Sequence, residues 1–297
     1  MARKRKVIIT VAPTGGFAQK SDNPNLPITP DEIAECVEEC CRLGASIAAV
    51  HVRRDDGAIT NDPELYKIVN AKIRERCNII INNSTGGGMG PEMHIVYPDG
   101  NWEMDFEKRL WGTQGGAEMC TLDCQTQTFD IYPDRPPGLM NTSWRRTLQL
   151  AQAMKDNGIK PEYEVMDLSH MLVDAQKVIQ AGLDKPPYWF DFVLGCDRRF
   201  QGALPFTYEI LNTLIDYLPE NSLYTVAALG PAQLPANIQA ILRGGHVRTG
   251  LEDNLYFEKG VLASNEMLVE RIANMIELMG HQVATPGEAR EMLGLKE

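Results

Sequence analysis

The chain has 297 residues, 43% of them hydrophobic and 23% charged, which suits a globular enzyme with one large core. A formal net charge of -11 excludes nucleic acid as a partner, since nonspecific binding to a polyanion needs clustered lysine and arginine; the run Arg3-Lys4-Arg5-Lys6 reads as a solvated flank. No apolar run reaches membrane-span length and the start lacks an apolar signal core, so a cytoplasmic protein with reduced thiols at its seven cysteines and no membrane partner is expected.

Residues 7–12 form the first apolar, β-branched run, and helical spacing over 31–43 follows it. Thr29-Pro30-Asp31-Glu32 heads that helix with an N-cap threonine, a proline in the first position and acids in the first turn. The pattern then repeats. Apolar runs at 46–52, 78–81, 118–122, 163–166, 189–194, 224–228 and 246–250 alternate with helical spacing at 63–76, 107–112, 144–157, 172–181, 207–218, 235–243 and 263–279. Gly44, Gly158, Gly182 and Gly280 stand where helices should stop. Eight strand–helix alternations without a linker predict parallel pairing in one domain spanning residues 1–297, and a closed (β/α)8 TIM barrel is the natural solution. The longest irregular stretches, 15–27, 85–106 and 129–141, each follow a strand, where such a barrel builds its active site.

Residues at the strand carboxyl ends should therefore converge. The eighth run carries Arg248-Thr249-Gly250-Leu251-Glu252-Asp253-Asn254: a guanidinium able to clamp a carboxylate, one acid for a metal and its neighbour for a base. A charged, solvated turn would show the same composition. Ser84-Thr85-Gly86-Gly87-Gly88 offers hydroxyls and unhindered N–H groups to a carboxylate or developing oxyanion, although glycines also make plain turns. Thr14 and Phe17 follow the first run, His51 and Arg53 end the second, Thr121 lies in the fourth and Glu164 in the fifth. His51 interrupts an apolar run, as a metal ligand or a satisfied core histidine would. The pairs Cys36/Cys40 and Cys120/Cys124 have ligand-like spacing but no second pair nearby, which favours packing.

Four segments together resemble the β-keto acid cleavage enzymes: Asn-Pro-Asn-Leu-Pro-Ile-Thr-Pro at 23–30, His51-Val52-Arg53 with Asp55-Asp56-Gly57, Ser84-Thr85-Gly86-Gly87, and Gly-Gly-His-Val-Arg-Thr-Gly-Leu-Glu-Asp-Asn at 244–254. The resemblance covers essentially the whole chain. It implies a zinc-dependent barrel in which a β-keto acid and acetyl-CoA give acetoacetate and a new acyl-CoA, in a homotetramer. Arg248, Asp253 and Ser84 then match the family's catalytic positions, and His51 and Glu252 match two metal ligands. Thr14, Phe17, Arg53, Thr85, Gly86, Gly87, Thr121 and Glu164 fall at substrate-contacting places. Two positions depart from the family. Its first histidine ligand falls on Ala49, for which His170 is the candidate substitute, and the acid that meets an amino-bearing substrate falls on Phe17. An aromatic there suits a quaternary ammonium or an apolar chain. A metal-dependent aldolase or lyase without CoA, or a barrel that only binds a keto acid, are the alternatives.

Overall fold

The β-branched runs become eight parallel strands, because each ends in a turn and the following amphipathic stretch carries the chain back to the starting edge. In the computed structural model, which describes residues 4–86, 91–130 and 136–295, the strands are β1 (Ile9–Val11), β2 (Ile47–Val50), β3 (Ile80–Asn83), β4 (Met119–Asp123), β5 (Lys160–Val165), β6 (Tyr188–Leu194), β7 (Ser222–Ala228) and β8 (Val247–Thr249). Their hydrogen-bonded order is β7-β6-β5-β4-β3-β2-β1-β8. The His246 N–H donates to the Tyr224 carbonyl at 2.8 Å and draws β8 to β7, closing the expected TIM barrel.

The outer ring contains α1 (Pro30–Arg42), α2 (Pro63–Arg76), α3 (Phe106–Leu110), α4 (Trp144–Asp156), α5 (Ala175–Gln180), α6 (Tyr208–Asp216), α7 (Gln233–Leu242) and α8 (Asn265–Leu278). Thr29 and Glu32 form a reciprocal capping box at the start of α1, fixing where that helix begins. The glycines at 44, 158, 182 and 280 all have positive φ, as helix stops. None of the described helices is long and apolar enough to cross a membrane.

A further helix, α9 (Pro286–Leu293), has its own Thr285/Glu288 capping box. Its Ala289 and Leu293 pack with Ile8, Ile47, Ile80, Met119 and Trp189 and plug the amino-terminal end of the barrel. The basic flank is correspondingly less solvated than its composition implies. Arg5 donates to the carbonyls of Gly245 and Ile241 at 2.9 and 2.6 Å, and Lys6 pairs with Glu288 at 2.9 Å.

At the opposite end, two of the expected irregular stretches contribute to a five-stranded mixed sheet. Its order is Phe200–Gln201, Gln127–Phe129, Gly138–Met140, Trp102–Met104 and His94–Val96. These strands are two or three residues long and pair non-locally, so no alternation announces them. Gly138 is where this cap is tightest: a β-carbon there would lie 2.0 Å from the Trp102 ring. Gly138→Ala is expected to destabilise the protein by about 1–3 kcal/mol through overpacking. Chemical denaturation against the parent protein measures it, and an unchanged midpoint would show that the cap yields freely.

Candidate active site

Between the strand carboxyl ends and this cap lies a cleft with about 790 Å³ of empty space, open solvent at its mouth included. His51, Ser84, Gly86, Glu164, Arg248, Glu252, Asp253 and Phe17 all line it. Strand β8 supplies its charged floor. The Asn237 side chain holds Arg248 by its backbone, donating to the carbonyl at 2.7 Å and accepting from the N–H at 3.2 Å. Beyond β8 the Glu252 N–H donates to the Ala12 carbonyl at 3.1 Å, which lays the Glu252 side chain across Gly15. A β-carbon on Gly15, whose φ is +56°, would stand 2.3 Å from Glu252 Cγ, so only glycine leaves this carboxylate its path.

Arg248 is buried, and its donors are spent on protein. Its Nε and Nη2 reach the two oxygens of Asp253 at 3.1 and 3.2 Å, Nη2 also meets Glu252 at 2.9 Å, and Nη1 lies 3.1 Å from Asp191 and 3.6 Å from Glu164. It is the hub of an acidic cage rather than an open clamp. Among the described lining residues, the carboxylates of Glu164, Glu252 and Asp253 face Arg248, while Asp123 pairs with the buried Arg109 at 3.4 Å behind the wall.

Such crowding separates the acids by environment. Burial, opposed by Arg248, pushes Asp253 up to about 6. Burial works on Glu252 too, but Arg248 and His51 overcome it and hold this carboxyl at about 2. Burial raises Glu164 and Asp191 well above the usual carboxylate range, with Asp123 adding to the effect on Glu164. A group poised near neutrality beside one that is always ionised is the pairing from which acid–base and ligand roles are made.

His51 Nε2 lies 3.4 Å from Glu252 Oε1, while His51 Nδ1 and Glu252 Oε2 are buried without hydrogen-bond partners. Ala49 is buried on β2 and brings only a methyl group. His170 does not take its place: its Nδ1 accepts from the Met166 N–H at 3.3 Å, and it is not among the residues lining the cleft. The described acidic group with metal-like spacing is instead Glu162, Glu164 and Asp191, where Arg248 already supplies the positive charge.

Several expected contact residues lie beneath the surface of the cleft. Arg53 donates to Thr14 Oγ1 at 3.1 Å and to the carbonyls of Thr14, Gly15, Ala18 and Gly57, tying down the loop after β1. Thr85 N–H donates to Thr121 Oγ1 at 2.9 Å and Thr85 Oγ1 to the Thr121 carbonyl at 2.6 Å. Arg53, Thr14, Thr85 and Thr121 thus shape the wall without lining it. Ser84 is held through its carbonyl by Tyr66 Oη at 2.9 Å, and its Oγ accepts from the Gly86 N–H at 3.1 Å. Gly87 lies outside the described residues.

Asp191 and Gln127 were not among the expected site residues. Asp191 had a signal, since a carboxylate within Trp189-Phe190-Asp191-Phe192 must find a buried partner. Gln127, like Met104, Phe129, Met140 and Phe200 of the apolar wall beside it, belongs to the cap, whose strands carry little periodicity.

Fold and site define a barrel whose carboxyl face gathers carboxylates round one buried guanidinium, Arg248. The family model of the beta-keto acid cleavage enzymes matches residues 6–295, and the chain belongs to that family of C–C bond-cleaving enzymes. The 3-keto-5-aminohexanoate cleavage enzyme of Acetoanaerobium sticklandii is 38% identical, over 98% of this chain and 99% of that protein. The 3-dehydrocarnitine:acetyl-CoA trimethylamine transferase of Rhizobium meliloti is 31% identical, over 99% and 98%. Among solved structures, apo ObcA shares the fold with a TM-score of 0.70 at 16% identity, over 92% of this chain and 66% of that one.

The cage makes a stability prediction. Arg248→Ala leaves buried carboxylates uncompensated, at an expected cost of about 3–5 kcal/mol near pH 8. The folded pKa values of Asp191, Glu164 and Asp253 then rise further above the unfolded ones and Glu252 loses the charge that holds it low, so the folded state binds more protons and its stability falls as pH rises. The deficit relative to the parent should shrink on going to pH 5. Denaturation at both pH values reads it, and an equal deficit at each would mean that Arg248 acts by packing.

Proposed function

We propose that the chain converts a β-keto acid and acetyl-CoA into acetoacetate and the acyl-CoA of the remaining carbonyl fragment. The observation that carries this reading is the meeting of Asp253, Arg248, Glu252, His51 and Ser84 in one cleft of a chain belonging to this family.

A divalent ion fits the residues present. Nitrogen and oxygen ligands at about 2.0–2.1 Å from a tetrahedral zinc sit about 3.3 Å from each other, and His51 Nε2 and Glu252 Oε1 are 3.4 Å apart, with a partnerless oxygen beside them. The charge balance points the same way. A β-keto acid is an anion, Arg248 is already occupied by carboxylates, and the lining acids would repel the substrate without a further cation. His51 and Glu252 would hold that ion, zinc being the family's, which supplies positive charge to polarise the ketone and offset the substrate carboxylate.

The remaining work falls to side chains. Asp253 takes a proton from the methylene carbon between the two carbonyls, a task suited to a base at about 6. Arg248 fixes the direction of that carboxylate through its two hydrogen bonds. The substrate carbanion forms a C–C bond to the acetyl carbonyl carbon, and the CoA thiolate leaves. Ser84 Oγ, which accepts from the Gly86 N–H, keeps its own proton to donate to the thioester oxygen as charge develops there. The thiolate then attacks the original ketone carbon, the older C–C bond breaks, and the departing acetoacetate carbanion recovers a proton from Asp253.

Incubation with acetyl-CoA and a panel of β-keto acids should release acetoacetate, and chelation should abolish the release until a divalent ion is restored. Activity surviving exhaustive chelation would remove the metal from this scheme. Asp253→Asn should lose about a hundredfold or more in turnover. For the parent enzyme, kcat/KM should fall as pH drops through about 6, where Asp253 becomes protonated; an acid limb absent between pH 5 and 8 would disqualify Asp253 as the base.

A further inference from the structure

The cleft is chemically two-sided, and the half away from Arg248 says what the variable group of the substrate must be. Met104, Phe129, Met140, Met166, Val193 and Phe200 line that half, and all six belong to one buried apolar cluster with Trp102 behind them. The Gln127 side chain reaches it, with its amide turned onto Met166 Sδ at 2.7 Å. Phe17 stands at the rim, 37% exposed and 5.7 Å from Phe200 between ring centroids. The Arg199 guanidinium lies 4.9 Å from the Phe17 ring centroid, so a cation is already in place there.

The geometry points to a β-keto acid whose chain beyond the ketone is uncharged and apolar as the preferred substrate, with Phe17 and the methionine-rich wall as its specificity surface. This rests on the proposed reaction and names its substrate class. An ammonium tail would be stripped of water against the thioethers and aromatic rings of these six residues, none of which carries a carboxylate to receive it. A carboxylate tail loses its water too, since Arg199 is not among the lining residues. Thioether walls are polarizable and have several rotatable bonds, so the subsite should accept a range of chain lengths and branching rather than one shape.

The test separates binding from turnover. Calorimetry without acetyl-CoA, on enzyme loaded with a divalent ion, compares 3-oxobutanoate homologues of increasing alkyl length with 5-amino-3-oxohexanoate and 3-oxoadipate. The same acids are then assayed with labelled acetyl-CoA for labelled acetoacetate. Affinity and kcat/KM should rise roughly fourfold per added methylene until the wall is reached. The charged analogues should be poorer by about a hundredfold or more. Phe17→Asp should shift the preference at least about tenfold towards the ammonium substrate, whereas Phe17→Leu should keep the apolar ranking. Tighter binding or faster turnover of either charged acid overturns the inference and leaves the proposed reaction standing. If no acid yields labelled acetoacetate, the proposed reaction fails, and the calorimetric ranking still decides whether this half of the cleft selects apolar chains.

Discussion

The charge on Arg248 is the condition for everything else at the mouth of the barrel. Asp191 and Glu164 reach it from β6 and β5, while Glu252 and Asp253 reach it from the turn after β8, so one guanidinium holds together three separate parts of the chain. Carboxylates brought this close in a buried place would otherwise protonate or swing apart. With the guanidinium present they divide: Glu252 is kept ionised and Asp253 is left near neutrality. In the proposed reaction, ligand and base are then adjacent residues distinguished by environment rather than by chemistry.

That arrangement reassigns the role expected of Arg248. A free arginine at a strand end reads as a clamp for the substrate carboxylate, but here each of its nitrogens already meets a protein carboxylate. In the proposed reaction the positive charge that meets the substrate would come from an ion at the His51–Glu252 edge, where His51 Nδ1 and Glu252 Oε2 lack hydrogen-bond partners. Arg248 would then act through the acids it orients. The departure at Ala49 bears on the same point, because a site with two protein ligands holds its ion more weakly and depends more on what the substrate contributes.

The barrel was legible because strand and helix periodicities alternate and capping residues mark the joints, as at Thr29 and Asp62. The helix α9, headed by the same signature at Thr285-Pro286-Gly287-Glu288, lies outside the eight strand–helix alternations read from the sequence. The charged half of the cleft could also be read, since strand ends of a parallel barrel converge whatever lies between them. The apolar half could not. Met166 and Val193 stand at the ends of β5 and β6, but Met104, Phe129, Met140 and Phe200 come from strands of two or three residues paired across long separations, as Phe129 with Phe200 and Gly138 with Trp102, and such pairings leave no local period. Arg53 and Thr121 show the complementary error: they sit where a site residue should, but their polar groups are taken up by neighbouring loops.

The division of labour between barrel and cap has a physical basis. The reacting groups sit on strand ends and their immediate turns, where register fixes them: Glu164 is level with Asp191 across β5 and β6, and Arg248 is level with Thr10 across β8 and β1. A small error in their spacing would undo the balance between Arg248 and its acids, so they need the stiffest part of the molecule. The wall that meets the substrate's variable group needs shape and dryness rather than exact angles, and short strands, thioethers and aromatic rings supply both. Substitutions in the cap can therefore change which keto acid is accepted while the charge balance on the strand ends stays as it is.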